Sequence, residues 1–185
     1  MNTWVYKFAL KYVIPKIQIF HASGPSWFVR ERFKERMKAG DVLLSKRNFY
    51  LTNLLIGGKY SHAAVCVGPN EIAEMSAVGF DCVDIDKFCD GVTSVCLLRF
   101  KNYDEKYGHA VAATALSFAE AKYDTDFKLG FEALYCSELA YLSDFEHRMQ
   151  ADLTDLAGLG RPYISPMGLY KAKGLQIIYE WHDTL

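Results

Sequence analysis

The chain has 185 residues, 51% of them hydrophobic and 15% aromatic, with 21 basic and 22 acidic side chains and a formal net charge of -1. A chain of this length forms one domain, or one domain with a terminal extension, and buries about 70% of its unfolded surface, enough for a core without metal or disulfide staples. The composition excludes disorder as the general state, and the balanced charge excludes the basic excess of a dedicated nucleic-acid binder.

In chain order, residues 3–14 place Trp4, Val5, Phe8, Ala9 and Tyr12 at helical spacing on one face, with Lys7 and Lys11 on another, until Pro15 ends the pattern. Such an amphipathic helix docks on the protein's own core or lies at a membrane surface. Lys7, Lys11 and Lys16 interrupt what would be the apolar region of a signal peptide. The longest stretches free of charge, residues 17–29 and 107–119, fall short of the about 20 apolar residues that a spanning helix needs. The expectation is a protein of the cytoplasm or the inner face of a membrane, soluble or peripheral. Ser23 to Ser26 mark a turn, and residues 28–38 form a charged helical stretch that reads as a solvated face.

From Gly40 the character changes. Residues 41–45, 62–67, 72–76, 80–85 and 94–100 read as short strands separated by turn residues, an antiparallel meander. Gly68-Pro69-Asn70 is expected as a three-residue hairpin turn, with Ala77-Val78-Gly79 as a second turn and a short helix over 48–56 ended by Gly57-Gly58. After residue 104 the period becomes helical. Residues 107–121 and 134–149 are expected helices, joined by a loop that holds Tyr123, Asp124 and Gly130. The tail offers a loop around 158–162, a short helix opened by Ser165-Pro166, and a last strand over 175–181. Strands followed by segregated helices indicate an α+β fold, with a helical extension over residues 1–39 and the main domain over 40–185.

A thiol nucleophile needs a lowered pKa, a base within reach and a group that orients the base. The five cysteines are odd in number and contain no C-x-x-C pair, which suits a reducing compartment. Cys136 lies at the start of the second long helix, where free backbone N–H groups and the helix dipole favour thiolate. Cys66, Cys82, Cys89 and Cys96 sit in or beside strands and read as small buried side chains. Across the hairpin, pairing Val67 with Glu71 would set Ala64 opposite Glu74 and His62 opposite Ser76, so His62 and Glu74 share a face as diagonal neighbours. That parity needs an odd loop length. A carboxylate there fixes the imidazole's tautomer and stabilises its charged form. The blander alternatives are a core-facing helical cysteine and a satisfied, partly buried His–Glu pair. His21, His109, His147 and His182 read as surface or helix-face residues. Paired-ligand spacing for a metal is missing, as are glycine-rich phosphate loops, so no cofactor is expected.

Taken together, Gly40-Asp41, Tyr60-Ser61-His62, Ile72-Ala73-Glu74 followed by Gly79, Leu98-Arg99, Tyr123-Asp124 and Tyr135-Cys136-Ser137-Glu138-Leu139 resemble, in that order, the permuted papain-like cysteine hydrolases of the NlpC-like superfamily. The likeness is to the YiiX-like branch, related to the lecithin retinol acyltransferases, and covers roughly residues 40–170. The resemblance implies a circular permutation in which the histidine strand precedes the cysteine helix and an antiparallel sheet or partial barrel packs against that helix. It implies Cys136 as nucleophile, His62 as base, Glu74 as the residue orienting it, and Tyr123 as a tyrosine of the cleft serving an oxyanion site. Glu138 matches the motif, but a carboxylate in the first turn of a helix is explained by the dipole alone. The expected activity is hydrolysis or acyl transfer at an amide or ester, on a lipid-type, N-acyl or cell-wall peptide substrate. The rival reading is a non-catalytic amphiphile-binding module, or a membrane-associated protein that uses residues 3–14 as its contact.

Overall fold

The structure is a computed structural model that describes residues 24–46, 58–124, 127, 129–155 and 162–183. The helices expected over 3–14 and 48–56, and most of the loop around 158–162, lie outside the described residues.

The expected meander forms. Strands β1 (Val42–Lys46), β2 (His62–Gly68), β3 (Glu71–Ser76), β4 (Gly79–Val83) and β5 (Ser94–Phe100) join β10 (Leu175–His182) in a six-stranded sheet of order β10-β5-β1-β2-β3-β4. Every neighbouring pair is antiparallel. Alternate residues serve two cores. Val42, Leu44, Ala63, Val65, Ala73, Cys96 and Leu98 face one side, where they meet Tyr107, Val111 and Ala115 of α3 (Glu105–Ser117) and Ala140 of α4 (Cys136–Ser143). Leu43, Ala64, Cys66, Ile72, Val95 and Leu97 face the other, against Phe33 of α1 (Trp27–Lys34) and Ile85 and Phe88 of α2 (Ile85–Phe88). Both faces are covered, so the strands read as nearly continuous apolar runs.

Several elements differ from expectation, among them the helix expected over 107–121, which runs Glu105–Ser117. The charged stretch beginning at residue 27 is solvated on most of its surface, but Phe33 is fully buried and packs on Tyr179 at a ring separation of 4.7 Å. Burying a phenylalanine this way contributes about 1.5–3 kcal/mol. The strand expected to run to residue 85 stops at Val83, because the Asp84 carboxylate accepts the Lys87 N–H at 2.7 Å and caps α2. The helix expected over 134–149 begins at Cys136 and ends at Ser143. Buried Asp144 ends it by accepting the Tyr107 hydroxyl and the N–H groups of Arg148 and Met149, which draws the chain out of the helical path.

After α3, two short parallel strands, β6 (Lys122–Tyr123) and β7 (Ala133–Leu134), bring the chain to the start of α4. β8 (Leu153–Asp155) pairs with β9 (Pro162–Ile164), and α5 (Pro166–Tyr170) follows, capped by the Ser165 hydroxyl on the Gly168 N–H. The buried Asp41 carboxylate takes both arms of Arg99, at 2.8 and 2.7 Å, and the Lys38 N–H at 2.8 Å, which fastens the start of β1 to β5. Gly40 is required there: its φ is +81°, and a Cβ would lie 2.7 Å from the Gly108 backbone. At the far sheet edge Glu180 gathers the Tyr60 hydroxyl, Lys59 at 3.0 Å and His182 at 3.3 Å, anchoring the approach to His62.

Candidate active site

The site is built at the end of β2 where its pairing with β3 stops. Ala64 stands opposite Glu74, as the sequence predicts, but the hairpin reaches that register differently. Gly68 pairs with Glu71 across Pro69-Asn70, Asn70 adopts a left-handed φ of 57°, and the register shifts between Cys66 and Gly68. An even turn alone would separate His62 from Glu74. The bulge at Val67 supplies the odd residue and returns both to one face. Glu74 Oε2 then lies 2.8 Å from His62 Nε2, with side chains 16% and 24% exposed. The Phe88 ring stands 6.0 Å from the imidazole on the same face.

Cys136 reaches this pair from the opposite side of the sheet. It is the first residue of α4, 7% exposed, and the helix packs across β2. Alternation along β2 turns the Cys66 N–H toward β1, where it meets the Asp41 carbonyl, and so turns the Ala63 N–H toward β3. The ladder with β3 begins only at Ala64, and the Ala63 N–H instead donates to Cys136 Sγ, as does the Ser137 N–H. The thiol also hydrogen-bonds with the imidazole. With Nε2 committed to Glu74, Nδ1 is the nitrogen that serves the sulfur. The gap at the end of the ladder therefore lets a thiol from one face and an imidazole from the other meet.

The electrostatics follow from this packing. Burial opposes a charged thiol, but the His62 hydrogen bond and charge, with the two backbone donors, outweigh it and hold Cys136 below the ordinary thiol range. Burial likewise opposes the imidazolium, and the bonds to Cys136 and Glu74 outweigh it, so His62 titrates well above an ordinary histidine. The arrangement favours a thiolate–imidazolium pair. Cys66 and Cys96 show the contrast: burial pushes both thiols up to about 12.

Tyr123 sits in β6, half-buried and packed against Leu134, Leu139 and Met75. Burial first, then the charges of Cys136 and Asp124, hold its phenol above the ordinary range, so it stays an O–H donor. Glu138, one turn into α4, is fully buried. Its Oε1 accepts the Gly130 N–H at 2.8 Å, its carboxyl also takes the Tyr135 N–H, and its pKa is pushed up to about 7, first by burial and then by Asp124.

Sequence reasoning names Cys136, His62, Glu74 and Tyr123 as candidates, and the structure brings the first three into one hydrogen-bonded chain with Tyr123 near the thiol. It misses the Ala63 and Ser137 N–H donors, which no residue type announces, and the Phe88 wall. The wall had a signal: Asp84, three residues before Lys87 and next to apolar Ile85, has the pattern of a helix cap.

A histidine strand ahead of a cysteine helix, the two joined across an antiparallel sheet, defines a permuted papain-like protein. A family model described as "Permuted papain-like amidase enzyme, YaeF/YiiX, C92 family" matches residues 36–168, more than two thirds of the chain, and the protein belongs to that family. Among solved structures, one described as metalloprotein yiiX from Escherichia coli O157:H7 superposes with a TM-score of 0.60 at 17% identity, covering 78% of this chain and 98% of that one. No curated protein matches the chain. The description of yiiX as a metalloprotein raises the question of whether a metal fits here. Among the described residues no three His, Cys, Asp or Glu side chains converge to hold one, and the His62 ring is committed to Glu74 and Cys136. The residues present do not fit a resident metal. No helix among the described residues is long and apolar enough to cross a membrane.

Proposed function

We propose that the protein is a thiol hydrolase or acyltransferase that opens an amide or ester through an acyl-enzyme on Cys136. The observation that carries this reading is the partly buried chain Cys136–His62–Glu74, closed by a 2.8 Å bond and by two backbone donors on the sulfur. Cys136 Sγ attacks the substrate carbonyl carbon, the carbon–nitrogen or carbon–oxygen bond breaks, and His62 gives its proton to the leaving group. Water or an acceptor alcohol or amine then attacks the thioester, His62 takes the proton back, and the thiolate is restored. Glu74 holds the imidazole in position through Nε2. Donors beside the sulfur, the Tyr123 hydroxyl among them, receive the oxyanion as it develops.

An apolar acyl group suits the surroundings better than a polar peptide. The loop between Tyr123 and Cys136 presents Leu129 and Phe131, 49% and 72% exposed, beside the chain segment that leads into the nucleophile helix. The test uses 4-nitrophenyl acetate as a generic acyl donor. Native protein is expected to release 4-nitrophenol and to carry one acetyl group on Cys136 by mass spectrometry. Folded Cys136→Ala is expected to do neither. Undiminished release by Cys136→Ala contradicts the proposal.

A further inference from the structure

Glu138 is a fully buried carboxyl side chain near the thiol that the mechanism above does not use. It occupies the third position of α4, with Tyr135 as the residue before the helix and Cys136 as its first residue. From there its carboxyl reaches back to the Tyr135 N–H, the half of a capping box that a third-position glutamate supplies. It makes a second bond that helix capping does not require. Oε1 accepts the Gly130 N–H at 2.8 Å, from the loop that leaves β6 just after Tyr123 and returns as β7. Oε2 is buried and has no hydrogen-bond partner. A fully buried carboxyl group with an unpaired oxygen is costly. A glutamine, a serine or a bare helix start would cap at lower cost, so the second contact calls for an explanation.

The loop it holds explains it. The Lys122 N–H reaches the Glu132 carbonyl and the Asp124 N–H reaches the Leu134 carbonyl, so the backbone of β6 is hydrogen-bonded to β7 and the residue before it. Phe127 packs on Tyr135 at 5.1 Å, with Tyr123 against the same aromatic cluster. Glu138 thus ties the turn that carries the sulfur to the loop that follows the phenol-bearing strand, in one side chain.

We propose that Glu138 is a positioning residue: its carboxyl joins the Gly130 loop to the first turn of α4 and so sets the Tyr123 hydroxyl against the reacting carbonyl at Cys136. The proposal rests on the thiol-acyl reading above and on Tyr123 as an oxyanion donor. Glutamine retains the accepting oxygen and is neutral. Glu138→Gln therefore keeps the tie, whereas Glu138→Ala removes it and Glu138→Asp shortens its reach by one methylene.

The experiment is a double-mutant cycle on 4-nitrophenyl acetate turnover, with circular dichroism to confirm folding and iodoacetamide labelling of Cys136 run in parallel. Tyr123→Phe and Glu138→Ala are each expected to lower kcat, the latter by about 10²-fold with little change in KM, as misplacement of a transition-state donor does. Glu138→Gln is expected to restore most of the loss. In the Tyr123→Phe background, Glu138→Ala is expected to cost far less than in the native chain, because both act through one donor. Should Glu138→Ala not fold, Glu138→Asp gives the same comparison. Equal losses in the two backgrounds, near-native turnover in folded Glu138→Ala, or an unchanged kcat in Tyr123→Phe would each overturn the proposal. Failure of the thiol reading itself looks different: Cys136 is then labelled no faster than an ordinary thiol in every variant, the native chain included.

Discussion

Glu74 meets His62 at Nε2, which leaves Nδ1 for the sulfur, and in the proposed mechanism the carboxylate holds the ring at that angle and stabilises its charged form. Glu74→Gln keeps the size and one acceptor oxygen but removes the charge, and its amide can present N–H to the ring. The expected result is a fall in kcat of about 10²–10⁴-fold, smaller than the loss in Cys136→Ala, with Cys136 labelling shifted to higher pH. An unchanged labelling profile in Glu74→Gln contradicts this role. At this scale the residue types were legible because each carries its own chemistry. Cys136 could be singled out from its place at a helix start, while Cys66 and Cys96 lie in strands, where burial pushes their thiols up to about 12. The Ala63 and Ser137 N–H donors were illegible, since a backbone donor has the same sequence signature whether it pairs with a strand or with a sulfur.

At the scale of elements, the sheet was legible and its ends were not. The pleat puts alternate residues on opposite faces, and the expected Ala64–Glu74 pairing followed from pairing Val67 with Glu71 across an odd loop. The route to it was not legible, because a two-residue turn with a bulge at Val67 and a three-residue loop place the same side chains on the same face. Helix α4 came out shorter than its apolar period suggested. The period continues past Ser143, but Asp144 is satisfied by partners from α3 and from residues 148–149 that no local pattern reveals. The Gly40-Asp41 and Leu98-Arg99 pieces of the sequence resolve into one buried ion pair, away from the thiol, that fastens β1 to β5. Burial raises the Asp41 pKa, and Arg99 opposes that rise. Replacing Arg99 by Met leaves Asp41 buried without its cation and is expected to cost about 3–5 kcal/mol at neutral pH. Without Arg99 the folded-state pKa of Asp41 rises further above its unfolded value. The folded chain then holds a proton the unfolded chain has lost, so the deficit grows as pH rises from the acid side toward neutrality and shrinks on acidification. Denaturant melts of the variant at both pH values check the size and the sign. Equal stability of variant and native chain at neutral pH contradicts the clamp.

At the scale of the whole molecule, the sheet holds its two faces in separate cores, and the proposed reaction uses a place where side chains from both faces meet. α4 packs with α3 on one face, and His62 and Glu74 project from the other toward Phe88. The point of contact is the end of the β2–β3 ladder, where Met75 and Leu139 pack beneath the thiol-bearing turn. That the histidine strand comes before the cysteine helix could be read directly from chain order, and the family match over residues 36–168 agrees with it. The gap that lets the two meet could not be read, because it arises from where pairing stops, a property of two strands and a helix together.

Whether Cys136 and His62 form an ion pair at neutral pH is read most directly from the pH dependence of iodoacetamide labelling, resolved cysteine by cysteine by peptide mass spectrometry, on the native chain and on His62→Ala. An ordinary thiol titrates near 8.5. With the Cys136 pKa lowered and the His62 pKa raised, the thiolate persists as pH falls until Cys136 itself takes a proton, so labelling of Cys136 is expected to stay fast well below pH 8.5 while the buried Cys66 and Cys96 stay slow. In His62→Ala the Cys136 profile is expected to move up to or above the ordinary thiol range, because burial then acts without its counterion. Labelling of native Cys136 that titrates like an ordinary thiol, or a profile indifferent to the loss of His62, would contradict the account.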